Sequence, residues 1–279
     1  MRGETQAHLV AGDDGHYYVV KFTNNPRGCR ILVNELVACL LLHELGVLTP
    51  EVAFIRVDEQ FRSENPAGHL VTAAGNEPFS VGIHLGTRYP AGGSPIYDFL
   101  PDPILPRVDN LSHFLGALVF DKWTANAGER QAIFFRRTVV PRPNHLESKW
   151  IVEMIDHGRA FQGKEWTFRD LPEQGLYRQA IVYNPTGSFD DAQVWIDKAS
   201  RITDGRLDCI RRFVPPAWIE GEEREFAHLL ERLADRRSRV AELTEQSLAW
   251  GAARTAGRSF QPMDAPDANA CGRAREMKN

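Results

Sequence analysis

The hydrophobic pattern changes period along the chain. Gln6–Val10 and Tyr17–Phe22 are β-rich runs, and Asp13-Asp14-Gly15 between them is a turn signal, so a hairpin is expected. After a polar segment with Pro26 and Gly28, ILVNELVACLLLHELG is apolar nearly all round and stops at Gly46. This predicts a largely buried helix over about Cys29–Leu45 with a glycine cap. EVAFIRV and the stretch from His69 to Leu85 supply further strands. LSHFLGALVFDKW has Leu111, Phe114, Leu115, Leu118 and Val119 at helical spacing, predicting a helix over Asn110–Asp121. Strands near Ala132–Arg136 and Trp150–Asp156 come next, separated by a polar excursion, PRPNHLESK. Finally, EEREFAHLLERLADRRSRVAELTEQSL repeats apolar residues at Phe226, Leu229, Leu230, Leu233, Val240 and Leu243, as in one long surface helix with a single buried stripe.

These elements make an α+β chain. Residues 1–88 form a small β-rich part with one main helix, the Gly- and Pro-rich Tyr89–Pro95 reads as a linker, and residues 89–250 are mainly helical. Residues 251–279 lack large apolar side chains almost entirely and are expected to be a disordered tail. At 279 residues and 43% hydrophobic content the chain can bury a sizeable core. A net charge of −4 carries no basic excess, so nucleic acid is not expected as a direct partner. The four cysteines form no CxxC pair, which argues against a disulfide framework or a zinc site and fits a reducing cytoplasm. No signal peptide leads the chain, and the longest apolar run, around LVACLLL, is far short of the roughly 20 residues that span a bilayer, so no membrane is expected.

The chemistry lies in four pieces taken in order. VVKF places Val20 and Phe22 on one strand face and Val19 and Lys21 on the other, and a lysine among apolar neighbours wants an anionic partner. Two glutamates lie on the next helix. Glu35 and Glu44 are nine residues apart, and at about 100° per residue they point to opposite sides. Glu35, nearer the strand end, is the partner expected, with Glu44 facing water. A polar loop then carries Asp121 and Asn126 five residues apart, and MIDHG presents Asp156 after a strand with Gly158 giving the backbone room to turn. Singly, these are an edge-strand lysine, a helix-dipole acid, a helix-end aspartate, a turn asparagine and a strand-terminating aspartate. Their order carries the information.

That order, over roughly Gly3 to Gly158, resembles the two-lobed protein-kinase-like fold, and within it the HipA-like kinases, relatives of the phosphatidylinositol 3/4-kinase-type enzymes. The resemblance implies ATP and Mg²⁺ as cofactors and transfer of the γ-phosphoryl group to a hydroxyl, on a serine or threonine of a protein. It implies Lys21 as the phosphate lysine with Glu35 as its partner, Asp121 as the catalytic base, and Asn126 and Asp156 as Mg²⁺ ligands. It also implies a phosphate loop at GETQ, with Thr5 and Gln6, and an antitoxin-type protein partner. The chain departs from the kinase pattern in having no GxGxxG, HRD or APE, and His157 stands where a DFG kinase has Phe. It begins at the GETQ loop, so either the true start lies upstream or the nucleotide roof is weakened.

Backbone near Ser80–His84 would receive the adenine, and Arg159 to about Tyr177 would form the activation segment. Lys122 reads as a plain surface lysine, the histidines as surface or packed, and Trp123, Trp150, Trp166 and Trp195 as core. Two other functions stay open: a nucleotide- or partner-binding module without transfer, and a metal-dependent phosphohydrolase using Asp121 and Asp156.

Overall fold

The computed structural model describes residues 5–90, 95–142, 145–183 and 188–255. The expected hairpin is present as β1 (His8–Ala11) and β2 (Tyr17–Lys21), paired antiparallel with Leu9 opposite Val19. Helix α1 spans Cys29–Leu45, as its apolar run predicts. It ends at left-handed Gly46, where the Val47 amide donates back to the Leu42 carbonyl. Strand β3 (Val52–Val57), the short helix α2 (Glu59–Glu64), a ribbon of β4 (His69–Thr72) and β5 (Gly75–Pro78), and β6 (Gly82–Arg88) follow. The four-stranded sheet has the order β1-β2-β6-β3, antiparallel throughout.

The sheet divides its side chains by alternation. Tyr18, Val20, Phe22 and Val57 bury one face against Leu70 and Phe79. Lys21 and Leu85, paired in register, belong to the other face.

Past the linker, whose residues 91–94 lie outside the described ones, come α3 (His113–Trp123), the hairpin β7 (Gln131–Arg142) and β8 (His145–Ile155), α4 (Phe189–Arg201), α5 (Asp204–Phe213), α6 (Glu223–Asp235) and α7 (Val240–Thr255). The fold is mixed α+β. Helix α1 shares one hydrophobic core with α3 to α6 and the inner face of the hairpin, through Leu36, Leu41, Phe114, Phe120, Phe134 and Met154. Trp123, Trp166 and Trp195 are buried and Trp150 is half-buried. No helix among the described residues is long and apolar enough to cross a membrane.

Several expectations change. The polar excursion between β7 and β8 is paired strand on both sides, out to Arg142 opposite His145. The long C-terminal helix is broken by a 3-10 turn at Arg236–Arg239, because Arg236 is buried and its guanidinium donates to the Lys122 and Trp123 carbonyls and to Asp170. Ser80–His84 does not follow the last strand of the sheet. It leads into β6, which runs on to Arg88, and His84 is packed there, accepting from the Thr23 amide. The expected tail is helical as far as Thr255, and 256–279 lie outside the described residues.

Candidate functional site

Lys21 closes β2 with its side chain under the sheet, where water is excluded. Its Nζ donates to Glu35 Oε2 at 2.8 Å and to Asp156 Oδ1 at 2.9 Å, with only 9% of the side chain exposed. Glu35 lies on the α1 face turned to the sheet and is buried. Glu44, on the opposite side, pairs at the surface with Arg206. The nine-residue spacing leaves one glutamate for the sheet, and nearness to the strand end picks out Glu35, the one Lys21 meets. Burial works against the Lys21 ammonium, but the two carboxylates outweigh it and hold its pKa above the ordinary lysine value. Burial pushes the Glu35 carboxyl up, opposed by Lys21.

Asp156 follows β8 and is the open member of the set, its side chain 38% exposed. Burial of the rest would raise its pKa, yet the Lys21 ammonium holds it below the usual carboxylate range. Its φ is +56°, a left-handed conformation that side chains rarely adopt and that needs external support. Gln131, the first residue of β7, gives part of that support, since its Nε2 donates to Asp156 Oδ2 at 3.0 Å. Gly158 has no positive φ. A Cβ there would lie 2.6 Å from Ile31 Cγ2, so glycine is required for close approach to α1 rather than for turning. The Asn34 carboxamide of α1 reaches across the same junction. It donates to the carbonyls of Gly158, Ala160 and Gly163, and its oxygen accepts from Trp166 Nε1.

Asp121 is not in a loop. It lies inside α3, and its side chain is 0% exposed. Arg130 Nε donates to Oδ2 at 2.9 Å, Arg130 Nη2 donates to Oδ1, and Asn126 Nδ2 also donates to Oδ1 at 2.9 Å. Burial pushes the Asp121 carboxyl up, against the opposing Arg130 charge. The Asn126 amide oxygen accepts from the Gly128 amide at 3.0 Å. Asn126 and Asp156, expected as joint metal ligands, thus belong to different sets of contacts, and Gln131 is the residue beside Asp156.

Arg130 links the two sets. Its Nη1 donates to the Ile155 carbonyl at 3.3 Å and to His157 Nδ1 at 2.8 Å. A guanidinium only donates, so Nδ1 is an acceptor and Nε2 carries the proton, toward the Met154 carbonyl and Thr49 Oγ1. Burial, reinforced by Arg130 and Lys21, holds the His157 pKa well below its ordinary value.

Lys122 is not a surface lysine. Its Nζ donates to the carbonyls of Leu171, Pro172 and Gln174, and burial pulls it down to about 8. It anchors the stretch that covers Asp121. Of the expected phosphate loop, Gly3 and Glu4 lie outside the described residues. Thr5 is half-buried, and the Gln6 carboxamide exchanges two hydrogen bonds with the backbone of Val71 in β4.

Asp156 and Gln131 bear oxygen at the exposed end of the site, Asp156 Oδ1 accepting from Lys21 and Oδ2 from Gln131, and carboxylate and amide oxygens are the donor type a hard divalent cation takes. A second grouping, Glu35, Cys39 and His157, has potential ligand atoms within 4.8 Å of one another, all buried. Its atoms are engaged elsewhere: Glu35 Oε2 holds Lys21, His157 Nδ1 holds Arg130, and burial pushes the Cys39 thiol up to about 12. No family model, curated protein or solved structure matched the chain in the three comparisons made.

Proposed function

We propose that the chain is a phosphotransferase of two-lobed, HipA-like kinase type, which binds ATP with Mg²⁺ and phosphorylates a hydroxyl on a protein serine or threonine. The observation that carries this reading is Lys21, bonded at once to Glu35 and to the half-open Asp156 across three separate elements. A buried lysine held charged between two carboxylates, with one of them open to solvent, is the arrangement phosphate binding calls for. In this reading Lys21 holds phosphate oxygens, Glu35 orients Lys21, and Asp156 with Gln131 holds the cation. Bound ATP–Mg²⁺ supplies the phosphoryl group and the charge neutralisation its transfer needs.

Mg²⁺-dependent ATP turnover or autophosphorylation should be present in the wild type and absent in Lys21→Met and Asp156→Ala. Equal background rates in all three would end the transferase reading. A second reading has its own support, because Asp121, the expected base, is closed off with both oxygens occupied. In that case the chain is a kinase-fold module that binds nucleotide without transferring phosphate, and calorimetry would register Mg²⁺-dependent ATP binding with no turnover.

A further inference from the structure

We infer that Asp121 acts on Asp156 through Arg130. The buried pair is a strut that fixes the chain on both sides of Asp156, and Asp121 is a positioning residue rather than the group that meets an acceptor hydroxyl. The ligand part of this inference rests on the nucleotide reading above; the strut itself does not.

The Asp121 carboxylate meets no solvent. Its side chain is fully buried, its two oxygens take hydrogen bonds from Arg130 and Asn126, and Gly175 closes over its Cβ. Arg130 spends Nε and Nη2 on Asp121, and with Nη1 it touches both neighbours of Asp156, the Ile155 carbonyl and the His157 ring. His157 is in turn tied to Met154 and Thr49. The residue between them has φ of +56°, a conformation that persists only where its surroundings over-determine it. Lys21 and Gln131 fix the Asp156 side chain, and Arg130 fixes the chain that presents it. A buried ion pair is seldom retained for stability alone, since apolar replacements of similar volume are often neutral. Its reach to both flanks of Asp156 gives this one a different task.

The test uses the double variant Asp121→Leu/Arg130→Met, which removes both buried charges together, and Arg130→Lys, which keeps a cation opposite Asp121 but loses the fork to His157. ATP binding is measured by calorimetry with and without Mg²⁺, and amide exchange is followed over residues 150–163. In both variants, affinity for Mg²⁺-free ATP should fall by no more than about threefold, because Glu35 still holds Lys21 when Asp156 loosens. The gain in affinity on adding Mg²⁺ should fall by at least about tenfold, and exchange over 150–163 should quicken by a similar factor. A wild-type Mg²⁺ gain, or an equal loss with and without Mg²⁺, overturns the inference. Should the wild type bind no ATP at all, the nucleotide reading fails while the strut is still decided: faster exchange in the variants supports it, and unchanged exchange sinks it.

Discussion

Gly175 lies directly against Asp121. A Cβ on this glycine would fall 2.6 Å from the aspartate's own Cβ, and the glycine's φ is +76°. Its amide donates to the Gly128 carbonyl, so backbone fixes the approach from both sides. Gly175→Ala combines a left-handed penalty of about 1–2 kcal/mol with an overpacking cost of about 1–3 kcal/mol. Urea unfolding should show the midpoint lowered accordingly, and an unchanged midpoint would mean that the segment does not close on Asp121.

Lys122 holds three backbone carbonyls of that same covering segment. Lys122→Met strips the Gln174 carbonyl of its donor, while Leu171 keeps the Gln174 amide and Pro172 keeps Ser247 Oγ, so the loss is about 1–3 kcal/mol for the one group left unsatisfied. The segment should loosen, and trypsin should cut after the exposed Arg169 several times faster than in the wild type. An equal cutting rate would show that the lysine anchors nothing.

Removing Lys21 leaves Glu35 buried without its counter-charge. Lys21→Met should cost about 3–5 kcal/mol, as breaking one side of a buried pair does. Adding Glu35→Leu should recover much of that loss. Thermal melts of the two single variants and the double variant give the coupling directly, and additive losses would deny it.

Glu153 is buried on β8, with Arg137 3.6 Å away and Glu51 nearby, and burial pushes its pKa up to about 7. The folded chain therefore holds this proton more tightly than the unfolded one does. The contribution is fully present below the ordinary glutamate pKa and is lost as pH rises through about 7, by up to roughly 3 kcal/mol. Glu153→Gln should flatten this dependence, so the variant gains on wild type between pH 5 and pH 8. Parallel stability curves would contradict the assignment.

Much of this was legible because local patterns and tertiary packing agree. The run from Cys29 to Leu45 is apolar on nearly every side, and it is buried on nearly every side. Strand alternation put Lys21 under the sheet, helical spacing set Glu35 and Glu44 on opposite sides, and nearness to the strand end favoured Glu35. Asp121 was misplaced because a carboxylate after an apolar run reads as the end of a helix, whereas here Arg130 neutralises it inside one. Arg130, Gln131 and His157 were missed as a set. They meet only because the β7–β8 hairpin returns the chain from Gln131 to Ile155, and a charged residue in a polar loop carries no local sign of such a return. One signal was available, since an aspartate within an apolar helix needs a cation and Arg130 lies nine positions on.

Asn34 gives α1 a property that its sequence alone does not suggest. One carboxamide clasps three carbonyls beyond Asp156 and the Trp166 indole, so the helix is tied directly to the chain leaving Asp156. Asn34 is the residue before Glu35, so the clasp ties the backbone beside one carboxylate of Lys21 to the backbone beyond the other.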